Sequence, residues 1–502
     1  MNQVKAGALL NYVIIALNTL LGLCYTPYML RMLGQNEYGL YSLVASVIAY
    51  LTLLDFGFGN AIVRYTAKYR AEGKMQEQWE MFGMFLLVYS AIGFIAFLGG
   101  LGLYFNVDTL FDKTMTADDL GQARIMILLL VLNLAITFPF SIFGSIITAY
   151  EDFIFQKIVA IARIILTTLT IVLLLYFGYK AVAMVVVQTV FNIMTLLLNY
   201  FFCKYKIHIK IRYGKFNWPF IKEISVYSFW IFLNAIMDKI YWGTGQFVLG
   251  AVSGTVAVAV FSVAILLENM YMTFSTSISS VLLPKVTSMV AHDKSDREIS
   301  DLFIRTGRIQ CIVMAFVLSG FIIFGQPFIN LWAGNGYHDS YLITVIFFAT
   351  LFIPLIQNTG IVILQARNQM KFRSLLYCAI SLASLAFQII LAKKYGAIGC
   401  AIAIGGALIL GQVIIMNIYY RANQRIAIGC FWREIGKMLI TPILITAISI
   451  YTLTYVEMND FISLSTGIIL FTIIYTPIFW KFGMNNSERE LLSVPFKRLI
   501  KR

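Results

Sequence analysis

Phe153–Phe177 reads FIFQKIVAIARIILTTLTIVLLLYF, and its last twenty residues, from Ile158 onward, carry one charge, Arg163. A hydrocarbon core about 30 Å thick is crossed by ~20 apolar residues in a helix rising 1.5 Å per residue. This stretch is therefore long enough to span a membrane. Working outward from it, apolar runs between charged or turn-rich punctuation predict fourteen spans. In the first half they are 7–30, 38–63, 79–105, 120–149, 153–177, 181–202 and 221–249. The second half supplies 252–284, 301–329, 341–366, 372–392, 396–420, 431–456 and 461–480. The runs are continuous rather than alternating, which selects helices over a membrane barrel. The expected fold is an all-α polytopic membrane protein.

Composition agrees. Hydrophobic residues make up 60% of the 502 residues and charged residues 12%, about half the charged fraction of a soluble globular chain; mean hydropathy is +0.81. The first run, Gly7 to Leu30, follows only Lys5 and lacks a small-x-small cleavage site, so it reads as a retained helix rather than a signal peptide. The six cysteines form no CxxC pair, and His208, His292 and His338 stand apart. No metal site and no cofactor are expected.

Charge asymmetry sets the orientation. With the N-terminus placed in the cytoplasm, 30 of the 38 Lys and Arg residues fall on the cytoplasmic side and 5 on the opposite side. This is a strong positive-inside pattern that puts both termini in the cytoplasm. It also accounts for the net charge of +14 without nucleic-acid binding.

The two halves resemble one another at an offset of 216. Ile15-x-Leu17-Asn18 falls on Ile231-x-Leu233-Asn234, Leu33-Gly34 on Leu249-Gly250, Gly144 on Gly360 and Ala181 on Ala397. An even number of helices per repeat makes this a parallel repeat about an axis along the membrane normal. The expected organisation is an N-lobe of six helices (1–203), a basic linker (204–220) and a C-lobe of six helices (221–420). Two further helices and a basic tail (421–502) complete it. Two such lobes suit a transporter that rocks between inward-open and outward-open forms.

Leu33-Gly34-x-x-x-Tyr38-Gly39-Leu40-Tyr41, Leu54-Asp55-Phe56-Gly57-Phe58-Gly59-Asn60-Ala61 and Arg64-Tyr65 follow in the first lobe. Leu283-Pro284-Lys285 and Gly396-Ala397-Ile398-Gly399 follow in the second. Together they resemble bacterial polysaccharide flippases, the lipid-linked oligosaccharide translocases of the multidrug/oligosaccharidyl-lipid/polysaccharide exporter superfamily. The resemblance covers essentially the whole chain. It implies translocation of an undecaprenyl-pyrophosphate-linked oligosaccharide from the cytoplasmic to the outer leaflet of a bacterial inner membrane. The product would feed O-antigen, capsule or exopolysaccharide synthesis, beside polysaccharide polymerases. No ATP loop of the form GxxxxGK[ST] is present, and no enzymatic activity is implied.

Charges within the spans are costly and usually face a partner or a wet cavity. A pyrophosphate needs cations, and Arg offers it a bidentate fork. Arg163 and Lys239 are the deep candidates for substrate binding, with Arg64 and Lys285 at the cytoplasmic mouth. An internal ion pair is the competing role for the deep pair, and positive-inside anchoring for the other two. Asn18 and Asn234, matched by the repeat, are candidate cavity residues or interhelical hydrogen bonders. Asp55, Asp238 and Glu268 are candidate counter-ions or coupling sites for H+ or Na+. The alternative is a cation-coupled multidrug exporter of the same superfamily, which would use those carboxylates to bind cationic drugs. A membrane glycosyltransferase is disfavoured, because the loops on the outer side are short.

Overall fold

The structure, a computed structural model, describes residues 3–490 apart from 215, 216, 281 and 454–457, together with Ser493. The basic tail beyond Glu490 and Lys5's side chain lie outside the described residues. Sixteen α-helices and no strand occur among the described residues. In the first half they are α1 (Gln3–Leu51), α2 (Phe58–Ala71), α3 (Met75–Phe111), α4 (Ala117–Ala149), α5 (Phe153–Tyr176), α6 (Ala181–Tyr205), α7 (Trp218–Val252) and α8 (Thr255–Ser280). The second half holds α9 (Leu283–Ala291), α10 (Asp296–Trp332), α11 (Ser340–Ile356), α12 (Thr359–Ala366), α13 (Lys371–Leu408), α14 (Met416–Ala422), α15 (Ile428–Leu453) and α16 (Phe461–Phe482).

Among the described residues ten helices are long and apolar enough to cross a membrane, and the pair α11 and α12, bent by 43°, makes eleven. Two of the ten, Leu9–Ala71 and Lys371–Ala422, each hold two rods, divided where Gly34 (φ 75°) and Gly396 (φ 56°) leave helical geometry. Dividing these and adding the 35-residue α7 gives the fourteen spans read from sequence. Exposed Leu169, Leu173, Ile443 and Ile469 give the helices apolar outer faces suited to lipid. The main chain keeps its hydrogen bonds inside each helix, as hydrocarbon demands.

Helix ends are written locally. Thr116 with Asp119 and Ser295 with Glu298 form capping boxes that start α4 and α10, each satisfying N–H groups a first turn leaves free. One boundary differs from the sequence reading, which ran the eighth span to Pro284. In the structure α8 ends at Ser280 and Lys285 belongs to the separate α9. Pro284 stands in the first turn of α9, where its missing N–H and fixed φ are tolerated, so the helix restarts there.

The repeat is visible in the backbone as well as in the residues. Left-handed residues that end or break helices pair as Gly34 with Gly254, Gly73 with Asp293, Glu151 with Asn368, Gly178 with Gly396 and His208 with Arg425. Their separations run from 217 (368 less 151) to 220 (254 less 34). The chain therefore changes direction at the same points in both halves, although the residues making the turn differ.

The chain packs as two compact units, Met1–Ser262 and Val263–Arg502. In the first, α3, α4 and α6 pack in sequence, while α1 lies against both α5 and α7. At one end of this unit Asn36 donates to Asp119 at 2.7 Å, Gln122 donates to the buried Glu37 at 3.1 Å, and Lys180 pairs with Glu37 at 3.3 Å. In the second unit, α10 packs on α11 and α15. Its Gln310 donates to Ser275 and Ser279 Oγ at 3.0 and 2.7 Å. Buried Arg308 clasps Glu488 through Nη2 at 3.0 Å and Glu434 through Nη1 at 3.3 Å.

Candidate functional site

The helices of the first unit are apolar outside but carry polar stripes within. On α5, Gln156, Ala160, Arg163 and Thr167 recur at i, i+4, i+7 and i+11, which is one helical face. Asn18, Leu21, Gly22 and Tyr25 do the same on α1, and Gln188, Thr195 and Asn199 on α6. The three stripes converge on a cavity of about 710 Å³, within the range of small-molecule sites.

Among the described residues Arg163 is the only charged one lining this cavity. Its guanidinium is half-buried, and among the described residues it makes no ion pair and no hydrogen bond. The Tyr25 hydroxyl and Thr167 Oγ1, which also line it, are buried with no hydrogen-bond partner among the described residues. Gln188 is held by a 2.7 Å bond to the Tyr41 hydroxyl. Among the described residues a guanidinium, four hydroxyls and several amides thus line a space that no carboxylate enters. Such a lining suits an anion carrying hydroxyl groups.

Gln156 lines a second cavity too, of about 380 Å³, with Asp55, Asn60, Ser141 and Ser145. Its amide donates to the Gly144 carbonyl at 2.6 Å and accepts from Thr148 at 3.0 Å. Asp55 sits where α1 gives way to α2. A short 3-10 turn, Thr52–Asp55, runs into left-handed Phe56 (φ 50°) and Gly57 (φ 71°) before α2 begins. The helix is broken at this Gly-rich stretch. The Asp55 carboxylate accepts from the Tyr89 hydroxyl and the Gly57 N–H.

The other sequence candidates lie elsewhere. Asn18 joins Arg163 in the larger cavity. Lys239 is half-buried on α7 and lines neither cavity; its carbonyl accepts from Tyr50 at 3.2 Å. Asp238 beside it is exposed, and the side chain of Asn234 lies outside the described residues. Arg64 is exposed on α2, its guanidinium 5.8 Å from the Tyr65 ring centre. Lys285 is exposed on α9. Glu268 is 1% exposed in the core of the second unit, with Oε1 unpartnered among the described residues. No ion pair joins Arg163 or Lys239 to Asp55, Asp238 or Glu268 among the described residues. No cluster of potential metal ligands occurs among the described residues either.

Sequence reasoning passed over Tyr25, Gln156, Thr167, Gln188 and Asn199. Their signal was the shared helical face with Arg163 and Asn18; a search for charges alone does not pick it up.

Comparison with known proteins places this geometry in context. Residues 4–290 match a family described as polysaccharide biosynthesis protein. A candidate O-antigen transporter of Shigella flexneri is 20% identical over 423 residues, covering 81% of this chain and 95% of its own length. The uncharacterized membrane protein EpsK of Bacillus subtilis strain 168 is 21% identical over 355 residues, covering 67% and 68%. Among solved structures, the lipid II flippase MurJ in an inward closed conformation superposes with a TM-score of 0.71 at 17% identity, covering 95% of this chain and 98% of its own. An inward-facing multidrug resistance transporter of the MATE family gives 0.64 at 13% identity, covering 82% and 95%.

Proposed function

Since the chain belongs to the polysaccharide biosynthesis protein family, we propose that it is a flippase for a lipid-linked oligosaccharide. It carries an undecaprenyl-pyrophosphate-linked glycan from the cytoplasmic to the outer leaflet of a bacterial inner membrane by alternating access. The observation that carries this reading is the cavity around Arg163: among the described residues, one unpaired guanidinium surrounded by hydroxyls and amides, with no acid in its lining. A pyrophosphate joined to a sugar presents both anionic oxygens and hydroxyls, and this lining answers both. The guanidinium fork takes two phosphate oxygens at once, and Asn and Gln amides pair with hydroxyls as donor and acceptor.

In this reading Arg163 holds the headgroup, with Asn18, Tyr25, Thr167, Gln188 and Asn199 against the first sugar. Asp55, one cavity away and next to a broken helix, is the coupling site for H+ or Na+. Arg64 and Lys285 gather the anionic headgroup at the membrane surface, and Lys239 with Asp238 and Glu268 lies outside the headgroup site. Both termini face the cytoplasm.

The alternative is an exporter of cationic drugs, and Asp55, the one carboxylate at either cavity, is the observation that favours it. Deleting the gene separates the two. A flippase predicts loss of a surface polysaccharide, with lipid-linked oligosaccharide stranded on the inner leaflet and unchanged sensitivity to cationic dyes. Unchanged surface glycan with new dye sensitivity would establish the exporter instead.

A further inference from the structure

The connection between α6 and α7 is strongly basic. From Lys204 to Lys222 it carries Lys204, Lys206, Lys210, Arg212, Lys215 and Lys222 and no acidic residue. Beyond left-handed His208 (φ 58°) the chain forms neither helix nor strand as far as Gly214. Burial alternates along it: Ile209 and Ile211 are half-buried while Lys210 and Arg212 are exposed.

This strap is fastened to the start of α3. The Arg212 N–H donates to the Trp79 carbonyl at 3.2 Å, and the Ile209 N–H donates to the Cys203 carbonyl at 3.1 Å. A Cβ built on Gly83 would stand 2.1 Å from the Arg212 carbonyl oxygen, so only glycine lets the strap seat so closely. Lys210 and Arg212 both lie over the Trp79 ring, 5.4 and 5.3 Å from its centre. Among the described residues none of Lys204, Lys206, Lys210 and Arg212 makes an ion pair. Glu80 lies against Gly214 and takes a hydrogen bond from Gln76. Tyr205, Tyr213 and Trp218 flank the row and are exposed.

We propose that residues 204–213 form a fixed binding site for the headgroups of acidic phospholipids on the face that charge asymmetry assigns to the cytoplasm. Exposed cations beside exposed Tyr and Trp rings are the chemistry of the membrane interface, where anionic lipid attracts Lys and Arg and aromatic rings sit at headgroup level. Positive-inside sorting asks only that cations be present. It does not ask for a strap whose cations alternate with half-buried isoleucines and which is seated on a glycine. An acidic protein face is the rival occupant, but the flanking aromatic rings favour lipid. The inference holds whatever the Arg163 cavity carries.

The test uses the full chain in nanodiscs of equal phosphatidylglycerol and phosphatidylcholine, transferred to mild detergent, with the retained lipids measured by mass spectrometry. Wild type is expected to retain phosphatidylglycerol enriched about threefold or more over phosphatidylcholine, with the enrichment lost in high salt. Lys206→Gln/Lys210→Gln/Arg212→Gln should bring the ratio close to one, while Lys68→Gln/Lys74→Gln should leave it enriched. Unaltered thermal melting shows that the triple variant is folded; if it is not, Gly83→Ala, which unseats the strap without removing charge, takes its place. Equal retention in wild type and variant, or enrichment indifferent to salt, would overturn the proposal. So would charge-dependent capture of an acidic protein with no lipid preference.

Discussion

Gln156 and Arg163 stand on one face of α5, seven residues apart, and of the two only Gln156 also reaches the cavity that holds Asp55. A neutral amide therefore separates the cation from the carboxylate, and the two do not neutralise each other. The larger cavity keeps its positive charge, and the smaller one keeps its acid.

Replacing Arg163 separates a binding role from a structural one. Because the guanidinium has no partner to orphan among the described residues, Arg163→Ala should insert at normal levels. Charge-assisted hydrogen bonds are worth about 1.5–3 kcal/mol, so surface glycan should fall by about tenfold or more. Arg163→Lys should restore only part of it, since an ammonium lacks the fork. A variant that fails to accumulate on immunoblot would point to a structural role.

Asp55→Asn keeps the size of the side chain and removes its charge. Transport should stop responding to an imposed H+ or Na+ gradient while substrate binding stays within about twofold, because ~0.4 kcal/mol separates a twofold change. Gradient-driven flux unchanged in this variant would remove Asp55 from coupling.

Gly39 sets the approach of α1 to the start of α8. A Cβ there would stand 1.9 Å from the Thr255 carbonyl oxygen, with backbone rather than a flexible side chain in the way. Gly39→Ala should lower the melting temperature of the purified protein, at a cost of about 1–3 kcal/mol. Arg308→Ala should cost more, about 3–5 kcal/mol, because it strands Glu488 in the protein interior. A melt in which the two changes ranked in the reverse order would contradict this packing.

Charge asymmetry alone predicts the topology. Reporter fusions after residues 75, 215, 295 and 425 should report cytoplasm, and fusions near 112, 338 and 458 the far side. A far-side signal at 215 would reverse the orientation, and with it the leaflet that the strap at 204–213 faces.

The architecture was legible because hydrocarbon imposes length and apolarity on every span, and Phe153–Phe177 shows both without ambiguity. The repeat was legible at Asn18 and Ala181 but is plainer in the backbone, where a turn tolerates Glu151 in one half and Asn368 in the other. Conformation was conserved there, and the side chain was not. The site was half legible. Arg163 and Asn18 stood out as a buried charge and a matched amide, and they share a cavity. Lys239 looked equivalent in sequence, but depth along a helix does not say which way a side chain faces, and its residue lines neither cavity. Tyr25, Thr167 and Gln188 are ordinary residues in a membrane helix until three helices bring them together.

Proteoliposomes loaded with a polyprenyl-pyrophosphate-linked oligosaccharide test the central claim most directly, by following the fraction of glycan that an external glycosidase can reach. Wild-type protein should make inner-leaflet glycan accessible. Arg163→Ala should hold it close to the protein-free level, and added inorganic pyrophosphate should inhibit wild type without affecting the residual rate of the variant. Equal flipping by wild type and Arg163→Ala would contradict the assignment of Arg163 as the headgroup site.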